Sequence, residues 1–112
     1  MAGYFQIKRA ASGALSFTLK AGNHEVILSS TMHQSDADAR AAIAQVRRNS
    51  QRPERFKRMT AKDKSPYFVL VDEGGQVLGT SEMYLTTGAM ENGIRSVMTN
   101  GAALLVKEAV ST

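Results

Sequence analysis

Alternation of apolar and polar side chains runs through the first thirty residues. Ser16-Phe17-Thr18-Leu19-Lys20 places Phe17 and Leu19 on one face of an extended chain and three polar groups on the other. Phe5-Gln6-Ile7-Lys8 predicts a strand before it, and Glu25-Val26-Ile27-Leu28-Ser29 a strand after it. Ala11-Ser12-Gly13 carries turn chemistry between the first pair. Gly22-Asn23 predicts a tight reversal between the second, because both residues accept positive φ. Beyond Ser35 the period lengthens to that of a helix: Ala39, Ala42, Ile43 and Val46 share one stripe. Ser35, with Asp38 three residues on, is a natural N-cap, and Arg47 and Arg48 fall where cations suit the end of the helix dipole.

The same succession then begins again. Sliding the chain against itself by 51 positions aligns residues 4–50 with 55–101 without a gap, with 10 identities among 47 pairs. They are Phe5/Phe56, Ala10/Ala61, Phe17/Phe68, Leu19/Leu70, Val26/Val77, Ser30/Ser81, Met32/Met83, Ile43/Ile94, Val46/Val97 and Asn49/Asn100. Most are large apolar residues or sit beside turns, which favours duplication over chance. The second copy predicts strands at Phe56-Lys57-Arg58-Met59, Tyr67-Phe68-Val69-Leu70-Val71 and Gln76-Val77-Leu78-Gly79-Thr80, with a reversal at Gly74-Gly75. Thr86-Thr87 starts a second helix, whose stripe is Met90, Gly93, Ile94 and Val97. Asn49 and Asn100 are expected to cap the two helix ends. Residues 104–110 predict a last strand.

One helical stripe and one apolar strand face per copy imply an α+β fold, with helices on a single face of a mainly antiparallel sheet. A half of about 50 residues is marginal alone, so the two halves are expected to share one core. The expectation is thus one domain over residues 1–112, with repeat 1 at about 4–52 and repeat 2 at about 55–110. Composition agrees with a modest core: Leu, Ile, Val and Phe supply 24 of 112 residues, and alanine supplies 15. With no cysteine, a disulfide framework, a thiolate metal site and a cysteine nucleophile are excluded. The longest apolar runs, 67–71 and 102–106, are far shorter than a membrane span, and Met1–Arg9 lacks an apolar secretory core. A cytoplasmic protein is expected, with no membrane partner.

The segments Tyr67-Phe68-Val69-Leu70, Val77-Leu78-Gly79-Thr80-Ser81-Glu82-Met83-Tyr84 and Glu91-Asn92-Gly93-Ile94-Arg95-Ser96-Val97 resemble the YegP-like family of small, uncharacterised, mostly bacterial proteins. The resemblance covers nearly the whole chain. It implies two tandem β-β-β-α-β repeats in one sheet, with the C-terminal strand exchanged between repeats, so that residues 104–110 lie against the first half near Phe5. The first copy departs from the pattern, with Arg40-Ala41-Ala42-Ile43 where the second has Glu91-Asn92-Gly93-Ile94. The family supplies no activity or catalytic residue to carry over.

Few residues of the chain suit catalysis or metal binding. His24 and His33 are lone histidines in loops, with no carboxylate at ligand spacing, and are expected on the surface. Asp36 with Asp38 suits a helix start, and Asp72 with Glu73 a hairpin turn. Gly74-Gly75 opens a strand and lacks a following Lys-Ser/Thr, so it is no phosphate loop. No catalytic residue, metal ligand or cofactor is expected, and the protein is read as a non-enzyme.

Charge changes that picture. Arg47, Arg48, Arg52, Arg55, Lys57, Arg58 and Lys62 put seven of the 14 basic residues into 16 positions opposed only by Glu54. The segment carries +6 while the rest of the chain carries −2. It is either a solvated edge that discourages stray strand pairing or an anion-binding patch for sequence-independent nucleic-acid contact. A second candidate surface lies on the outer sheet face, where Tyr67, Val69 and Val71 replace Ser16, Thr18 and Lys20 of the first copy. That apolar patch suits a protein contact. The expected function is a binding or structural module with an unidentified partner, protein or nucleic acid.

Overall fold

Each alternating stretch forms a strand and each helical stripe a helix. In the computed structural model, which describes residues 3–108, the order is β1 (Tyr4–Arg9), β2 (Leu15–Lys20), β3 (Val26–Ser29), α1 (Asp36–Asn49), a 3-10 turn (Pro53–Arg55), β4 (Phe56–Thr60), β5 (Pro66–Val71), β6 (Val77–Thr80), α2 (Thr87–Asn100) and β7 (Val106–Glu108). The strands make one seven-stranded sheet in the order β4-β5-β6-β3-β2-β1-β7. Neighbours are antiparallel except β7, which runs parallel to β1 with Val106 opposite Phe5.

Phe17 and Leu19 of β2, and Phe68 and Leu70 of β5, point inward as the alternation requires. They form one buried cluster with Ala39, Ile43 and Val46 of α1 and Met90, Ile94 and Val97 of α2. Burying each such side chain is worth about 1.5–3 kcal/mol. Phe5 meets Phe17 edge-on at 6.0 Å between ring centroids, and Phe56 meets Phe68 the same way at 5.7 Å. Ser30 and Ser81 do matching work: each hydroxyl accepts from the N–H of the phenylalanine opposite it, at 2.8 and 3.0 Å.

Both helix starts use the expected caps. The Ser35 hydroxyl accepts from Asp38 N–H at 3.1 Å and that of Thr86 from Ala89 N–H at 3.0 Å. The helix ends differ from expectation. Asn49 and Asn100 are the last helical residues, and their amides donate back to the carbonyls of Gln45 and Ser96, each at 2.8 Å. The capping positions are Ser50 and Gly101, whose backbone N–H groups bond to Val46 and Val97. These two caps touch: a Cβ built on Gly101 would lie 2.5 Å from the Ser50 Cβ, and Ser50 is fully buried.

Three further expectations are corrected. The reversal at Gly22-Asn23 puts its positive φ on His24 (70°), the position that aligns with Gly75 (86°). His33 is not a free surface group. Its ring stacks on Phe17 with 5.8 Å between centroids, and its Nε2 is buried without a hydrogen-bond partner among the described residues. The last strand starts later than residue 104: its described part is Val106–Glu108, and positions 109 and 110 lie outside the described residues. It starts late because Arg47 holds the two carbonyls before it: Nε donates to Ala103 at 2.8 Å and a terminal nitrogen to Leu104 at 3.2 Å. The Leu105 carbonyl, which accepts from Phe5 N–H at 3.0 Å, makes the first bond of the β1–β7 ladder.

Candidate functional site

Strand alternation and helix geometry divide the seven clustered cations among different surfaces. Arg47, on α1, faces the approach to β7 and lies over the Phe5 ring at 5.5 Å, so it serves the fold. Arg48, one residue on, is turned about 100° around the helix. It joins Arg52 and Arg55 around a cavity of about 120 Å³ that Gln45, Asn49 and Glu73 also line. The side chain of Asn49 sets this corner. Its amide nitrogen donates to the Gln45 carbonyl, and its oxygen accepts from Arg55 Nε at 3.0 Å. Arg52 approaches Glu54 at 3.7 Å across open surface, a pair of little energetic weight.

Along β4 only Phe56 is buried; Lys57, Arg58, Met59 and Thr60 are exposed. Lys57 and Met59 face outward beside Val69 and Tyr67, their register partners on β5. Arg58 faces the helix side and donates two hydrogen bonds to Glu91 of α2, at 2.5 and 2.7 Å. The bond from Arg58 holds the Glu91 carboxyl below the usual carboxylate range and raises the guanidinium above its own. Arg48, Lys57 and Lys62 have no ion-pair partner among the described residues. The outer apolar patch is smaller than the sequence implies. Tyr67 and Val69 are half-buried, whereas Val71 is buried at 4% exposure, next to a register shift between Leu70 and Val71. Met59, which the sequence reading did not include in the patch, adds to it at 42% exposure.

The corner where α1 ends and β4 begins thus holds a three-arginine cup, with free Lys57 and a small apolar face running along β4 from it and Lys62 beyond the far end of that strand. Gln45, Asn49 and Glu73 were missed from sequence. Asn49 alone carried a hint, as an identity between the copies.

A single mixed sheet, two helices and no long apolar helix define a small α+β protein; among the described residues no helix is long and apolar enough to cross a membrane. The family model described as "Domain of unknown function (DUF1508)" matches twice, at residues 10–56 and 61–108. The chain belongs to this family, in the YegP-like group known as UPF0339. It is 47% identical over 108 residues to a UPF0339 protein of Bordetella pertussis, covering 96% of each chain. It is 42% identical over 108 residues to UPF0339 protein YegP of Shigella flexneri, covering 96% of this chain and 98% of that one. The solution NMR structure of the yegP protein of unknown function from E. coli superposes with a TM-score of 0.92 at 39% identity, covering 100% of this chain and 97% of that one. None of these relatives carries an enzymatic name.

Proposed function

We propose that the protein is a non-catalytic cytoplasmic binding module of two copies, of which only the second sends a last strand, β7, to the other, and that it takes an anionic partner at the α1–β4 corner. The observation that carries this reading is the convergence of Arg48, Arg52 and Arg55 on one concavity, with Lys57 unpaired at the start of the adjoining strand. Convergent guanidinium groups suit carboxylate or phosphate, because their forked donors bind two oxygens at once. The histidines support a non-catalytic role. His24 Nδ1 bonds to the Tyr4 hydroxyl at 2.8 Å, and His33 is spent on Phe17.

Sequence-independent nucleic-acid binding is the second reading, favoured by the +6 charge of residues 47–62. Fluorescence anisotropy at low salt tests both, with a labelled single-stranded oligonucleotide and a labelled glutamate-rich peptide. Arg48→Glu with Arg52→Glu is expected to abolish binding of whichever probe binds. If three phosphates are engaged, affinity for the oligonucleotide falls with salt at a log–log slope of about −2. No binding of either probe, or binding that survives the double reversal, overturns the reading.

A further inference from the structure

Backbone geometry shows which groups on β4 are spare. The N–H and C=O of Phe68 point toward β6, since Ser81 N–H donates to the Phe68 carbonyl at 2.9 Å and the Ser81 hydroxyl accepts from Phe68 N–H. Tyr67 and Val69 therefore turn their backbone groups toward β4, where they meet Met59 and Lys57. The backbone groups of Phe56, Arg58 and Thr60 point the other way, off the edge of the sheet. Phe56 N–H is already used by Pro53 O. The Phe56 carbonyl and the Arg58 N–H face outward with no strand beside them among the described residues.

The opposite edge shows what such a position takes. β1 aligns with β4, and its outer side is filled by β7, parallel, with Phe5, Gln6 and Ile7 opposite Val106, Lys107 and Glu108. Val106 is half-buried against the core, Lys107 lies 4.4 Å from the Tyr4 ring on one face, and Glu108 reaches Arg40 of α1 on the other at 2.6 Å. The same register on β4 gives a guest strand three seats. The first, opposite Phe56, is apolar. The second, opposite Lys57, faces Lys57, Met59 and Tyr67. The third, opposite Arg58, faces the Arg58–Glu91 pair.

We infer that β4 is a docking edge for an extended, acidic segment of another protein, which adds as a parallel eighth strand. This rests on the anionic-partner reading and names the partner's class. Charge complementarity selects it: Lys57 and Lys62 are free along the edge, Arg52 and Arg55 stand at its start, and a carboxylate in the second seat meets Lys57. The same charges turn away a second copy. Antiparallel pairing of two β4 strands centred on Arg58 would set Arg58 against Arg58, and pairing centred on Lys57 would set Lys57 against Lys57.

The experiment uses the full chain and a short labelled peptide alternating valine and glutamate. Binding is read by anisotropy, and the amide NMR shifts of the protein locate it. Binding is expected, with the largest shifts across Phe56–Thr60. Arg58→Pro removes the outward N–H and the Glu91 ion pair, fixes φ in a way an edge strand tolerates, and is expected to weaken binding about tenfold. Arg58→Gln loses the same ion pair but keeps the N–H, and should bind within about threefold of the original. N-methylation of the peptide amide that meets the Phe56 carbonyl repeats the test on the unaltered protein. Equal binding by the Pro and Gln variants together with the N-methylated peptide overturns the edge inference. If the same peptide is then lost on Arg48→Glu with Arg52→Glu, the corner reading stands without it. Binding of the oligonucleotide but not the peptide also overturns the inference, and binding of neither removes both proposals. Association of the protein with itself, blocked by Arg58→Pro, overturns the choice of partner.

Discussion

The two halves place the same elements at a constant offset and differ where one position must serve two purposes. In the first half His33 stacks on Phe17 and Ala42 sits on the facing stripe. In the second, Tyr84 stacks on Phe68 with 6.3 Å between centroids, and Gly93 takes the place of Ala42. A Cβ on Gly93 would overlap the Tyr84 hydroxyl and lie 2.6 Å from its Cζ. The smaller ring admits a methyl group; the larger requires its absence. The helix surfaces diverge likewise. Arg40 and Arg47 of α1 hold β7, but α2 carries Glu91 and Met98 at the matching positions, and its Glu91 reaches back to β4. Copies sharing one core need not stay alike: a change is tolerated when its neighbour changes with it, and the two ends of the sheet are then free to take different roles.

The sharpest way to break this comparison is at the touching caps, where room exists for one side chain. Gly101→Ser is expected to cost about 2–3 kcal/mol by overpacking against Ser50. Ser50→Gly in that background should recover most of it, as measured by chemical denaturation. Additive losses would show that the caps are not coupled. The next effect is at Gly93. Gly93→Ala gains helix propensity but forces Tyr84 off its place, for a net loss of about 1–2 kcal/mol. Adding Tyr84→His, which reproduces the first half, should reverse that loss.

The smallest effect is on pH dependence. Burial, with Glu82 and Glu25 adding to it, raises the Tyr84 hydroxyl above the ordinary tyrosine value. The folded state therefore holds this proton more tightly than the unfolded chain. Its contribution is fully present below the ordinary tyrosine pKa and is lost as pH rises through the raised one. Stability should fall in that alkaline window, and Tyr84→Phe should flatten that part of the profile. An unchanged slope would place the raised pKa outside the folding equilibrium.

Much of this was legible in the chain because it is local. Alternation at 16–20 and 67–71, the stripes Ala39–Val46 and Met90–Val97, and the caps Ser35 and Thr86 each depend on neighbours a few residues away. What stayed hidden depends on partners distant in sequence. The late start of β7 follows from Arg47 binding carbonyls 56 and 57 residues away. The burial of Val71 accompanies a register shift that no local pattern announces. Sequence crowding also overstated the basic patch. Lys57 and Arg58 are adjacent but leave a strand on opposite faces, and Arg47 and Arg48 leave a helix in different directions. Only three of the seven cations converge on one cavity.

One detail of the helix ends bears on how such a chain can be cut and rejoined. Gly3 packs so closely on Asn100 that a Cβ there would lie 2.8 Å from the Asn100 Cβ. The start of β1 is therefore delivered to the end of α2, much as β4 is delivered directly from α1. A circularly permuted gene that joins these two points and opens the backbone near Arg52 would retain the whole buried apolar cluster, losing the half-buried Ala103 and Val106 packed against it. It would also dispense with β7, leaving both margins of the sheet bare.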